Sequence, residues 1–206
     1  MNETVFGLIR HSVTLWNEEK RIQGLRNSPL SETGAAMARR WGEQLQAIPF
    51  ARIVSSDLGR ARQTADLINA TLALPREEDP RLREQDWGQW SGLTLPQLYK
   101  HHGEAVRRQE EAGWDFLPPG GESRRAVLAR SREALLEHAG NRPGETILVV
   151  THEGVLKCLL YDLLGRKFLP REPRLLTGYH LHLLRSDGRS LWLDSLNHLS
   201  LHDDRP

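Results

Sequence analysis

The chain is poor in sulfur, in net charge and in long apolar runs, and each shortage excludes something. Cys158 is the only cysteine among 206 residues, so no internal disulfide and no cysteine-based metal site can form. A lone cysteine fits a reducing, cytosolic setting. No apolar run approaches the roughly 18 residues of a membrane span. The opening MNETVFGLIR has neither the basic start nor the long apolar stretch of a signal peptide, and a cytoplasmic protein is expected. Lys and Arg number 28 and Asp and Glu 27, a net charge of +1, which argues against general binding to nucleic acid or a membrane surface. No internal repeat or low-complexity tract is present. The length suits one domain over 1–206 that buries its own core without staples.

What is there alternates. TVFGLI (4–9), ARIVSS (51–56) and ETILVVT (145–151) are short, β-branched apolar runs and read as buried strands. Between them lie helical patterns. Residues 34–48 place Met37, Trp41, Leu45 and Ile48 on one face, with Ser31 and Thr33 as candidate caps. Residues 58–72, 123–140 and 153–165 repeat the pattern, the last two ending at Gly140 and Gly165. Residues 179–196 read as a C-terminal hairpin turning at Asp187-Gly188. This order predicts an α/β domain with a mostly parallel central sheet flanked by helices. The stretch from about 93 to 121 breaks the rhythm, with a short helix, Trp114, Phe116 and Pro118-Pro119. It reads as a lid or insertion over the edge of the sheet.

Ligands of open α/β sheets bind beyond the carboxyl ends of the strands. Three such ends carry cationic or reactive groups here. The first ends in Arg10-His11, the second leads through SSDLGR to Arg60, and the third ends in Thr151-His152. Each alone has an ordinary reading as a helix cap, a solvated cation or a core histidine. Together at strand–helix junctions they describe a site for a dianion, phosphate above all. Two histidines among guanidiniums suit covalent phosphoryl transfer. Nearby Arg charges disfavour imidazolium and keep His11 neutral, while the same guanidiniums bind phosphoryl oxygens. The leaving oxygen then needs a proton from a carboxylic acid.

With these residues in place the sequence resembles the histidine phosphatase superfamily, in its cofactor-dependent phosphoglycerate mutase-like branch. LIRHSVTLWNEEKRIQGLRNSPLSETG (8–34), SSDLGRARQTA (55–65), LREQDWGQWSGLT (82–94), PPGGES (118–123) and VVTHEGVLK (149–157) match the family's blocks in order over nearly the whole chain. The resemblance implies that His11 becomes phosphohistidine, and that Arg10, Arg60 and His152 bind the phosphoryl group. It adds hydrogen bonds from Asn17 and Thr14, substrate contacts at Gln23 and Gly24, and Glu84 as the acid. It implies no metal and no cofactor.

The chain departs from the family at three positions. Ser12 stands where glycine is usual, and Val13 where Glu or Gln is frequent, marking both as candidates for substrate preference. Glu153 follows the second histidine, a second carboxylate that rivals Glu84, with Glu84 favoured. The leading expectation is a phosphatase of a small phosphorylated metabolite. Alternatives are a phosphoglycerate mutase, which the short segment between LREQDWG and PPGGES disfavours, and a catalytically inactive binding or scaffold member. The C-terminal hairpin offers an edge for a homodimer.

Overall fold

The run TVFGLIR forms β1 (Thr4–Arg10), and Phe6, Leu8 and Ile9 are buried on its two faces because helices cover both sides of the sheet. The structure is a computed structural model that describes residues 3–176 and 178–201. Besides β1 the strands are β2 (Arg52–Ser55), β3 (Arg76–Glu78), β4 (Thr146–Thr151), β5 (His180–Ser186) and β6 (Leu191–Ser200). They form one sheet in the order β3-β2-β4-β1-β5-β6. The first four strands in that order run parallel; β5 is added antiparallel to β1, and β6 antiparallel to β5. The sheet is therefore mixed, mostly parallel, with the expected hairpin at its edge. Asp187 shapes the hairpin turn by accepting from the N–H groups of Arg189 and Ser190, while Gly188 takes φ +84°.

The helices are α1 (Leu15–Glu18), α2 (Glu32–Leu45), α3 (Gly59–Leu72), α4 (Leu95–Glu111), α5 (Arg124–Asn141) and α6 (Glu153–Leu163). Alternation along the strands sends side chains to two separate cores. Ile147 and Val149 of β4 pack with Val127 and Leu135 of α5 and with Val155 and Leu159 of α6. Their neighbours Leu148 and Val150 pack with Trp41 and Leu45 of α2 and with Ala61 and Ile68 of α3. Helices thus cover both faces. No helix among the described residues is long and apolar enough to cross a membrane.

Three differences from the sequence reading have physical causes. Strand β3, sequence REE, has no apolar residue; it is a three-residue edge held by its ladder to β2. Ser31, not Thr33, caps α2. The segment after residue 93 carries a 17-residue helix, α4, rather than a short one; it is capped by Thr94 and kinked at His102. Leu98 and Val106 of α4 join Trp90 and Phe116 in a third apolar cluster.

The register of β1 on β4 sets the position of the site. Arg10 pairs with Thr151, and the His11 N–H donates to the Thr151 carbonyl at 2.8 Å. His11 and His152 therefore leave adjacent strand ends side by side. The loop after His11 is pinned against α2. Ser12 Oγ donates to the Gly34 carbonyl at 2.8 Å, and the Ser31 N–H donates to Val13 O at 3.0 Å. A Cβ on Gly34 would stand 1.9 Å from Val13 O, so only glycine allows this approach. Gly34→Ala is expected to destabilise the fold by about 1–3 kcal/mol, read as a lowered urea midpoint, and to lower any activity that needs His11 in place. An unchanged midpoint would contradict this account.

Candidate active site

A cleft of about 290 Å³ opens at the carboxyl ends of β1, β2 and β4. Arg10, His11, Asn17, Gln23, Gly24, Arg60, Glu84 and Glu153 line it. His152 stands behind His11, ring centroids 5.1 Å apart.

His11 is buried, and its partners define its tautomer. Arg60 Nε lies 3.2 Å from His11 Nε2. A guanidinium only donates, so Nε2 must carry a lone pair. The ring proton then sits on Nδ1, which donates to the Ser12 carbonyl at 2.7 Å. Burial first, then the charges of Arg60 and Arg10, hold His11 well below the usual histidine range, against the opposing pull of the Ser12 carbonyl. His152 is lowered for the same reasons, burial leading and Arg60 next. Its Nε2 is 2.8 Å from Ser56 Oγ, while Nδ1 is buried without a partner.

Arg60, in the first turn of α3, is completely buried, and among the described residues no carboxylate bonds to it, Glu84 acting on it at longer range. Instead Nη1 donates to Arg26 O and Nη2 to Gly24 O, both at 2.8 Å. Burial pushes it down to about 10. Gly24 brings its carbonyl there with φ +52°. Gln23 Oε1 is buried and unpaired at the cleft wall.

The two carboxylates differ sharply. Glu153, at the start of α6, is bound by Arg10 Nη1 at 2.7 Å and by Lys157 Nζ at 2.5 Å. Burial would raise it, but the Arg10 and Lys157 charges prevail and hold it at about 2. Among the described residues Glu84 forms no ion pair. Its oxygens accept from the Gln85 N–H at 2.8 Å and the Gly154 N–H at 3.3 Å. A Cβ on residue 154 would lie 2.2 Å from Glu84 Oε1, which explains why glycine follows Glu153.

Not every residue singled out from sequence reaches the cleft. Thr14 does not line it. The Thr14 hydroxyl is buried in a capping box, donating to Asn17 Oδ1 at 3.0 Å and accepting from the Asn17 N–H at 3.1 Å. That box occupies Asn17 Oδ1 and leaves the amide Nδ2 for the cleft. Ser12 and Val13 also stay out of the lining; they hold the loop to α2. Sequence reasoning missed Ser56, Arg21, Lys157, Arg124 and Phe168. The spacing of Glu153 and Lys157, four residues apart on a helix, was a readable signal for their pairing. Buried Cys158 also lines the cleft, and burial pushes its thiol up to about 12. Among the described residues no group of three or more His, Cys, Asp or Glu side chains could hold a metal ion.

Residues 6–198 match the histidine phosphatase superfamily (branch 1), and the chain belongs to that superfamily. Within it, the chain is 38% identical to the probable phosphoglycerate mutase GpmB of Cronobacter sakazakii over 159 residues, covering 77% of this chain and 74% of that protein. Two solved structures share the fold closely. YhfR of Bacillus stearothermophilus has a TM-score of 0.86 and 32% identity, over 96% of this chain and 98% of its own. A mycobacterial glucosyl-3-phosphoglycerate phosphatase, complexed with VO3, has a TM-score of 0.79 and 30% identity, over 95% and 97%.

His11 in the cleft and His152 behind it are both expected to stay neutral from about pH 8 to about pH 6, read by ring nitrogen shifts in NMR. The unfolded histidines, with a usual value of 6.5, bind protons that the folded ones refuse. Stability contributed by these rings is therefore full above about pH 6.5 and falls as pH drops below it. Ring shifts with midpoints near 6.5 in the folded protein would refute this.

Proposed function

We propose that the protein is a phosphatase that hydrolyses a small phosphomonoester through a phosphohistidine on His11. The observation that carries this is a neutral His11 whose proton is fixed on Nδ1, with Nε2 in a cleft walled by Arg60, Arg10 and Glu84. Nε2 attacks phosphorus, and the bond to the ester oxygen breaks. Arg60, Arg10 and His152 surround the phosphoryl oxygens and stabilise their charge. Asn17 Nδ2 adds a hydrogen bond. Glu84, protonated, gives its proton to the departing alkoxide. A water then attacks phosphorus and loses its proton to Glu84; the N–P bond breaks, releasing phosphate and regenerating neutral His11.

Glu153 is the less suitable acid. Held at about 2 by Arg10 and Lys157, it carries no proton to give near neutral pH. Its place is to fix the Arg10 guanidinium. Glu84 instead sits at the cleft wall, gripped only by backbone N–H groups.

Glu84→Gln is expected to lower kcat on a substrate with a poor leaving group by about 10²- to 10⁴-fold, with a far smaller loss on p-nitrophenyl phosphate. Glu153→Gln is expected to act mainly on KM. Collapse of kcat in Glu153→Gln alone would reverse the assignment. His11→Ala should abolish turnover and acid-labile labelling by a radioactive phosphomonoester.

A mutase is the second reading, favoured by the name of the GpmB relative. Incubation with 3-phosphoglycerate separates the two: free phosphate supports the phosphatase, 2-phosphoglycerate the mutase. Absence of turnover and of labelling in folded protein would leave a binding protein.

A further inference from the structure

Three more cations line the cleft outside the phosphoryl pocket: Arg21, Lys157 and Arg124. Two are already engaged by acids. Arg21 binds Glu19 through Nε and Nη2, each at 2.8 Å, and donates to the Gly92 carbonyl at 2.5 Å. Lys157 is held by Glu153. Arg124 is different. It opens α5 and donates through Nη1 to Gly113 O at 2.8 Å. No carboxylate among the described residues lies within ion-pair distance of it; Glu110 acts on it only at longer range. Burial pushes it down to about 10, as it does Arg60.

Its surroundings are built. The guanidinium carbon lies 4.3 Å from the ring centroid of Phe116 and 4.4 Å from that of Phe168. Nη1 donates to Gly113, and among the described residues Nε and Nη2 have no acceptor, which leaves a two-donor fork suited to a carboxylate or phosphate. Phe168 holds its ring there with φ +62°, a conformation rare for a bulky residue. Tyr161 at 4.5 Å and Trp114 at 4.7 Å keep it in place, and Trp114 Nε1 donates to Arg166 O at 2.8 Å. Gly113 takes φ +59°, where a Cβ would lie 2.4 Å from Lys167 O. The residue that fixes Arg124 thus abuts the loop that presents Phe168.

We propose that Arg124 receives a second anionic group, a carboxylate or a phosphate, carried by the alcohol part of the substrate. This deepens the phosphatase reading and rests on it. A staple between two rings needs only the faces of the guanidinium. Here a cation without an acid partner among the described residues lines the same cleft as His11. Phosphomonoesters with a second anion are then preferred over those with a neutral alcohol.

The test compares 3-phosphoglycerate, 1,3-propanediol bisphosphate, glycerol 3-phosphate and p-nitrophenyl phosphate. Wild-type protein is expected to favour one or both doubly anionic esters over glycerol 3-phosphate by about tenfold or more in kcat/KM, mainly through KM. Whichever is favoured identifies the group as carboxylate or phosphate. Arg124→Leu should erase the preference and leave glycerol 3-phosphate and p-nitrophenyl phosphate within about twofold. Arg124→Lys keeps charge but loses the fork, so part of the preference should go; this variant decides the matter if Arg124→Leu does not fold. Equal losses on all four esters, or a preference that survives Arg124→Leu, would overturn the proposal. Calorimetric binding of the same doubly and singly anionic esters to His11→Ala reads the preference without turnover. If wild-type protein releases no phosphate, the phosphatase reading falls, while this binding comparison still supports or overturns the role of Arg124.

Discussion

The hydrogen bond from His11 Nδ1 to the carbonyl of its own neighbour, Ser12, governs the rest of the site. It decides which ring nitrogen has a lone pair and so which way the nucleophile faces. Arg60 can approach that nitrogen only because it is unprotonated. The guanidinium in turn has to be kept from a carboxylate, or its field would be spent before a phosphoryl group arrived. The loop around residues 24–26 meets this need with neutral acceptors, the carbonyls of Gly24 and Arg26. A buried cation held by dipoles is costly to the fold and well prepared for a dianion.

The same logic separates the two acids. Glu153 and Glu84 meet at the start of α6, one through its side chain on Arg10, the other through the Gly154 N–H. Glu153 spends its charge on orienting Arg10, whose Nε is otherwise buried without a partner. Glu84 makes no ion pair among the described residues and acts on Arg60 only at longer range. The two carboxylates thus differ in what holds them, charged side chains for Glu153 and backbone N–H groups for Glu84.

Much of this architecture is legible in the residues. The strands announce themselves because they are apolar on both faces, and Arg10-His11 and Thr151-His152 stand out as polar pairs ending such runs. Their meeting follows from the parallel register, which periodicity cannot show but strand order makes natural. Glu84 lies in irregular chain with no periodic context; only the resemblance to a family marks it. Strand β3 is hidden because its side chains are charged and its pairing is all backbone. The Thr14 capping box looks, in sequence, like any hydroxyl near a phosphate loop. Arg124 and Phe168 are invisible for a deeper reason. Their contact joins the start of α5 to a loop more than forty residues on, and nothing local in either segment encodes it.

The single cysteine carries one more consequence. Cys158 borders the cleft, yet desolvation holds its thiol at about 12. At neutral pH the thiol stays protonated, whereas the thiolate is the form that reacts with peroxides and disulfides. The one sulfur nucleophile at the cleft is thereby held in its unreactive form by burial.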